Sequence, residues 1–319
     1  MDNDAPALTI IGDVGVDVVL GPIDHWPAVG TESLMDRSEL RPGGSAANAA
    51  LAASYLGAPC RLLSLVGNDS WGAWLAEQFQ DFNARLPVCD SSTSVSVGII
   101  HACGERTFLT TRGHLEAFGY EHVGPFMARA RHRDSIALLS GVFLTPKLRR
   151  GYARLLDELA ALGYQIALDT GWPSGNWDDQ LREEVFGWVA RCDHVLFNEM
   201  EIGSLGDSAD FQTALANVSR RLKPGASLIV KRGAKGATGF QAGVTLDTDA
   251  VASAVFDTIG AGDSFNAGYL LARLEGRDLT NALEAGCRAA AAIITRFPRR
   301  SIRPGELAEL VESPRRRIV

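Results

Sequence analysis

Short apolar runs recur along this chain, separated by stretches whose apolar positions return every three or four residues. Leu8–Ile11, Leu62–Val66, Ser135–Leu139, Gln165–Leu168, His194–Phe197 and Ser227–Val230 are compact runs of the kind buried on both faces of a sheet. Between them, Ala46–Leu56, Trp71–Phe79, Leu148–Ala161, Asp178–Val189 and Phe211–Leu222 carry the spacing of helices with one face on a core. Such alternation predicts an α/β fold with a mostly parallel sheet, because parallel neighbours need a covering crossover. Open sheets of this kind bind ligands beyond the carboxyl ends of their strands. One more apolar run, Val251–Phe256, leads directly into a glycine-rich turn.

Two segments break the alternation. Val14–Leu20 and Val95–Thr111 are β-branched or alternating with no helical stretch inside them, which predicts antiparallel strands. Gly104–Glu105 reads as the tight turn between Val97–Ala102 and Thr107–Thr111. Segments 14–41 and 95–113 together predict a small β-sheet lid. No repeat or Pro/Gly-rich linker divides the chain, so residues 1–319 read as one domain.

With 46% hydrophobic residues the chain has material for a substantial core. No apolar run is long enough to span a membrane, and MDNDAPALTI lacks a basic segment followed by an apolar one, so the expectation is a cytoplasmic protein without a membrane partner. The net charge of −7 argues against nucleic acid as a partner, since neutralising phosphates takes Lys and Arg. Arg299, Arg300 and Arg303, and the tail Arg315 to Arg317, are basic clusters that read as solvated surface. Cys60, Cys89, Cys103, Cys192 and Cys287 show neither disulfide nor zinc spacing.

The chemistry concentrates in DTIGAGDSFNAG, Asp257 to Gly268. Glycines at a helix start leave backbone amides open to an anion such as phosphate. Asp263 then places a carboxylate beside that pocket, positioned to take a proton from an attacking hydroxyl. Ser264 in the same run raises a serine-hydrolase alternative, but no histidine follows His194 to serve as its base. Earlier, PGGSAANAALAASYLG, Pro42 to Gly57, sets Gly43 and Gly44 before an Ala-rich helix bearing Asn48, with amides and an amide side chain suited to a polyol. NEMEIG puts Asn198 and Glu201 on one face of a starting helix, where they would organise Mg²⁺ through its waters. In VKRGAKGATGF, Lys231 lies on a strand before a glycine turn that also reads as an ordinary hairpin.

Taken in order, GG-x-x-x-N, N-x-x-E and D-T-x-G-A-G-D resemble the PfkB/ribokinase family of carbohydrate and nucleoside kinases, over nearly the whole chain. The resemblance implies a ribokinase-like three-layer αβα sandwich with a β lid, and an ATP- and Mg²⁺-dependent kinase. It implies Asp263 as catalytic base, with Gly260, Ala261 and Gly262 as anion hole. Asp17, Gly43, Gly44 and Asn48 would bind the sugar. Asn198 and Glu201 would serve Mg²⁺ and phosphate. Lys231, Gly233 and Gly236 would lie at the nucleotide, Lys231 where Thr or Ser is usual. The Ala-rich stretch Asn281–Thr295 would wall the adenine site. Some members also hold a monovalent cation, which here would fall to Asp257, Thr258 and the loop Thr295 to Ser301; a K⁺ site is thus an expectation with an atypical loop. Many sugar and sugar-acid kinases of the family carry D-x-N-x-R where this chain has Asp169, Thr170, Gly171 and Trp172, which argues against fructokinase-like and ketodeoxygluconate-kinase-like readings. The expected partner is a small sugar or nucleoside, with a homodimer through the lid. Arg106 and Arg112 on the lid, and Trp26, Trp172 and Trp177, read as packing or surface residues before they read as ligands.

Overall fold

The computed structural model describes residues 7–102, 105–251, 254–299 and 302–310. Cys103, Gly104 of the expected turn, Arg300, Ser301 and the run Arg315 to Arg317 lie outside the described residues. The N-terminal half contains β1 (Leu8–Gly12), β2 (Gly15–Ile23), β3 (Arg37–Gly43), α1 (Ser45–Tyr55), β4 (Cys60–Leu63), β5 (Val66–Gly67), α2 (Ser70–Gln78), β6 (Asn83–Arg85), β7 (Val88–Cys89), β8 (Val95–His101) and β9 (Arg106–Thr110). There follow β10 (Ile136–Ser140), α3 (Pro146–Arg150), α4 (Tyr152–Ala161), β11 (Gln165–Asp169), α5 (Asp179–Val189), β12 (His194–Asn198), α6 (Glu199–Leu205), α7 (Phe211–Ser219) and β13 (Ser227–Lys231). The chain ends with β14 (Ala237–Gln241), β15 (Val244–Thr248), α8 (Ala261–Leu274) and α9 (Leu279–Ile294).

The large sheet has nine strands in the order β15-β14-β13-β12-β11-β10-β1-β4-β6. It is parallel from β6 to β13 and antiparallel in its last two pairs. Successive strand residues face opposite sides, and both sides are apolar. Ile10, Leu62, Leu138 and Ile229 join α1, α8 and α9 in one core, while Ile11, Leu63, Leu139 and Val230 join α4, α5 and α7 in another. Two cores on one sheet give the three layers, a ribokinase-like α/β fold, and explain why the strands read as unbroken apolar runs.

On the first of these faces, helices approach closely because their contacts are small. A Cβ on Gly268 would lie 2.7 Å from both the Ala285 carbonyl oxygen and Ala289 Cβ, and one on Gly286 would lie 2.8 Å from the Phe265 ring. Six buried alanines give α1 the same slim profile. The start of α8 is thereby held against α1, which brings distant motifs together.

A separate four-stranded sheet runs β3-β2-β8-β9. Its outer pairs are antiparallel, as expected, but β2 and β8 pair in parallel. They are not joined by a turn; β3, α1 and α2 intervene, so their relative direction is a tertiary choice. The expected strand Leu62–Val66 divides into β4 and β5, and β5 pairs with β7 in a third small sheet. Val251–Phe256 is not a strand over its described residues: Val251, Val255 and Phe256 are exposed, at 45%, 57% and 38%.

Candidate active site

Register sets the carboxyl ends of the central strands side by side: Gly12 opposite Ser140, Ser140 opposite Asp169, and Asn198 opposite Lys231. The starts of α1 and α8 face these ends. Gly44, the residue before α1, has no side chain to cap the helix. Asp13, just past β1, does so from a distance, accepting the amides of Ser45 at 3.1 Å and Ala46 at 3.3 Å. Gly44 has φ +96, and a Cβ there would sit 2.5 Å from the Asp13 carbonyl oxygen. A Cβ on Gly43 would sit 2.0 Å from the Asp17 carboxylate. Both glycines therefore admit a buried acid, and the first amides of α1 are occupied by Asp13. Burial pushes the Asp13 and Asp17 carboxyls each up to about 6, with Arg41 drawing Asp17 partly back.

Gly260, in the left-handed conformation at φ +72, starts α8, and no side chain caps it. The Ala261 amide closes a turn on the Thr258 carbonyl at 3.2 Å. The amides of Gly262 and Asp263 precede the first intrahelical bond, from Ser264 to Gly260, and have no helical acceptor. The Ser264 hydroxyl donates to the Gly260 carbonyl at 2.8 Å and is buried, so its hydrogen-bonding capacity is directed into the helix.

Asp263 is half-buried at this turn, and its Oδ2 accepts from Asn48 Nδ2 at 3.0 Å, joining two motifs 215 residues apart. Desolvation, reinforced by the Asp169 charge, pushes its carboxyl up to about 8; Lys231 and Asn48 oppose the shift. Lys231 Nζ lies 2.6 Å from Asp169 Oδ2, 3.3 Å from Asn266 Oδ1 and 3.5 Å from where a Gly262 Cβ would stand. Burial alone would lower its pKa, but Asp169, Glu201 and Asp263 raise it, so the ammonium is retained directly below the anion turn. Asn266 donates to the same Asp169 oxygen at 2.5 Å.

Asn198 and Glu201 form a reciprocal capping box at the start of α6: the Asn198 amide donates to the Glu201 carboxylate at 2.7 Å, and the Glu201 amide donates to the Asn198 side-chain Oδ1 at 2.9 Å. Burial, then the Asp169 charge, pushes Glu201 up to about 7. Among the described residues no group of three or more His, Cys, Asp or Glu is set to chelate a metal. Gly233 and Gly236 flank a short turn between β13 and β14, at φ +56 and +84; a Cβ on Gly236 would strike the Thr248 carbonyl at 1.9 Å.

Asp257 is buried, and its neighbours are arginines. Arg41 Nη1 is 2.8 Å from Asp257 Oδ2, and Arg299 Nη2 is 3.4 Å from the same atom. Arg299 is 7% exposed, which corrects its expected place on a solvated basic surface. A cavity of about 230 Å³ adjoins this cluster, lined by Arg41, Asn48, Tyr55, Gly260, Ser264 and Arg299.

Other expectations resolve more simply. Arg106 donates to Thr258 Oγ1 at 2.9 Å, linking the small sheet to the anion turn, whereas Arg112 pairs on the surface with Glu116. Trp177 is buried with Phe143, and Trp172 and Trp26 are exposed. His114 is buried, accepting from the Ser94 amide and lying 2.9 Å from the Val14 carbonyl. Residues missed as members of the site are Asp13, Arg41, Asn266 and Arg299, together with Asp169 as a partner of Lys231. Asn266, three residues after Asp263 on the same helix, had a periodic signal. Arg41 and Arg299 had no local signal.

An uncapped glycine turn, an amide-held carboxylate and a buried ammonium below them form an arrangement for handling phosphate beside a hydroxyl. Residues 7–302 match the description of the pfkB family of carbohydrate kinases. The chain belongs to that family. As a pfkB carbohydrate kinase it is a phosphotransferase with an alcohol acceptor. It is 30% identical over 253 residues to a fructokinase of Klebsiella pneumoniae, covering 76% of this chain and 80% of that one. To an ATP-dependent ribose-1-phosphate kinase of Halopiger xanaduensis it is 29% identical over 283 residues, covering 86% of each. Its fold is similar to that of an Arabidopsis thaliana ribokinase complexed with ribose and ATP, with TM-score 0.74, 20% identity and coverage of 97% of this chain and 100% of that one. No helix among its described residues is long and apolar enough to cross a membrane.

Proposed function

We propose that this pfkB kinase moves the γ-phosphoryl group of ATP to a hydroxymethyl group of a sugar or related polyol, with Asp263 as general base. The observation that carries the reading is the position of Asp263 in the same turn as the open Gly262 amide, above Lys231. Deprotonated, Asp263 accepts the proton of the attacking hydroxyl. The Gly260–Gly262 turn stabilises charge on the transferring phosphoryl group through backbone dipoles fixed in advance. Lys231 adds a full charge from below. Its contacts support a role at the phosphoryl group rather than at the distal nucleotide, for which the Gly233–Gly236 turn is the candidate. Asp17, Gly43, Gly44 and Asn48 are the acceptor side of the cleft, Asn48 orienting the Asp263 carboxylate as well.

Glu201 fits a Mg²⁺ reached through water, because Mg²⁺ keeps several waters and is bound through one or two carboxylates plus phosphates. Bound there, the ion would neutralise phosphate charge; this chain's part is to hold Asn198 and Glu201 in a rigid cap. The small sheet is the proposed lid, tied to the anion turn by Arg106. Its apolar surface, with Phe108 and Leu109 exposed on β9, supports pairing with a second copy.

A nucleoside acceptor is the second reading, favoured by Trp26, exposed beside His101 on the small-sheet side and free to stack a base. A coupled ADP-release assay over sugars, sugar phosphates, sugar acids and nucleosides tests both. Turnover of a sugar or polyol is expected. Turnover confined to nucleosides replaces the first reading with the second, and binding of acceptors without turnover of any would overturn catalysis altogether.

A further inference from the structure

The segment that leads into the anion turn is held by two buried cationic side chains. Arg299 donates from Nη1 to the Ile259 carbonyl and from Nη2 to the Asp257 carbonyl at 2.6 Å, and its guanidinium lies 3.4 Å from the Asp257 carboxylate. Arg41 reaches the same Asp257 oxygen at 2.8 Å and Glu39 at 3.1 Å. The other Asp257 oxygen accepts the Ile259 amide at 2.8 Å. Gly260 follows immediately, with Arg299 Nη1 3.3 Å from where its Cβ would stand. Arg41, Glu39, Asp257 and Arg299 are 4%, 5%, 4% and 7% exposed.

These groups do not fit the K⁺ that the family resemblance suggests for Asp257. An alkali cation needs a shell of oxygen lone pairs, whereas here N–H donors point at the Asp257 and Ile259 carbonyls and at the Asp257 carboxylate. A second positive charge a few ångströms from a buried guanidinium is strongly repelled. We propose that this kinase carries its cation covalently: the Arg299 guanidinium, seconded by Arg41, holds the Asp257–Ile259 carbonyls and so shapes the anion turn, without a monovalent metal ion. Arg299 is thus a positioning residue, acting through the Gly260–Gly262 backbone. Burial lowers its pKa to about 10, with Arg41 adding to the shift, which leaves it charged throughout the neutral range. Its fork geometry matters as well as its charge, because one guanidinium satisfies two carbonyls at once.

The inference rests on the kinase reading for its kinetic consequence but not for its cation-binding one, and the test separates them. Wild type and Arg299→Ala are compared in potassium, sodium and N-methylglucamine chloride at equal ionic strength. Turnover is read with an acceptor from the substrate panel, and melting temperature is read with ADP. Wild-type turnover should stay within about twofold across the salts. Its melting temperature should show no rise specific to potassium, because an ion that does not bind the native state cannot stabilise it. Arg299→Ala should lose at least roughly tenfold in kcat and regain part of it on adding guanidinium ion or K⁺, with a potassium-specific rise in melting temperature. Potassium activation of the wild type above about fivefold, or a potassium-specific rise in its melting temperature, overturns the proposal. So does an Arg299→Ala enzyme with wild-type turnover. The wild-type comparison stands even where Arg299→Ala does not fold, and its melting readout needs no acceptor.

Discussion

On one side of the Gly260–Asp263 turn, Asp169, Glu201 and Asp263 gather around Lys231, with the Asp13 charge acting on Asp263; on the other, Glu39 and Asp257 are matched by Arg41 and Arg299. The first cluster has more acids than its ammonium neutralises, so burial and mutual repulsion lift Asp13, Glu201 and Asp263 to about 6, 7 and 8. Its charge is ready to change when phosphate, cation or acceptor arrives. In the second, two guanidinium groups answer two carboxylates, and Arg299 also satisfies backbone carbonyls. Its task is geometric. A site that moves a proton benefits from titratable groups held near neutrality, while a scaffold benefits from buried charges paired with their opposites.

The contrast breaks most sharply at Asp263. Asp263→Asn should lower kcat by at least roughly a hundredfold with nucleotide affinity nearly unchanged, since only proton acceptance is lost. Steady-state kinetics beside nucleotide titration checks this, and near-normal turnover would remove Asp263 as base. The same variant should be more stable than the wild type at alkaline pH. Burial holds the folded Asp263 carboxyl at about 8, far above the ordinary aspartate value of 3.8, so the folded state holds the extra proton between those values. Stability falls as pH rises through that window, and Asn removes the effect. Melting curves at pH 6 and pH 9 should show the gap between variant and wild type widening at the higher pH.

Asp257→Ala should act in the opposite sense, on stability first. It leaves Arg41 and Arg299 facing each other, and removing one partner of a buried pair costs about 3–5 kcal/mol. Urea denaturation should show a lowered midpoint at every pH from 6 to 9, without the pH-dependent gap expected of Asp263→Asn. A shift that depends on pH in the same way would erase the distinction between the clusters.

A gentler probe is the pH dependence of kcat/KM. A base must be ionised, so in the wild type the rate should rise with pH through an apparent pKa near 8. Lys231→Met removes a group that holds this pKa down, and its acid limb should move to higher pH by roughly one unit. An unmoved limb would place the titration elsewhere. The smallest effect belongs to Arg106→Ala, which cuts an exposed hydrogen bond between the small sheet and Thr258. A loss of about 1 kcal/mol or less corresponds to a fivefold or smaller rise in KM, with kcat nearly intact. A collapse of kcat there would show that the lid contact shapes the anion turn itself.

The periodicity of the chain alone carried the main sheet, because strands buried on both faces must be apolar throughout, and the order of the runs carried the α/β layering. The glycine turn with Asp263, and Asn198 with Glu201, were equally readable, since each is a local backbone device at a helix start. What only the tertiary structure decided were relations between distant segments. Asn48 holds Asp263, Asp13 caps α1 in place of Gly44, β2 pairs in parallel with β8, and Lys231 turns to Asp169. Arg299 was misread for the same reason. An arginine is placed on the surface by its cost of burial, and that cost is met here by Asp257 and by the Asp257 and Ile259 carbonyls, 42 and 40 positions away in the chain. Local pattern reports what a segment can do by itself; the ionisation of Asp263 and the burial of Arg299 depend on the charges that folding sets beside them.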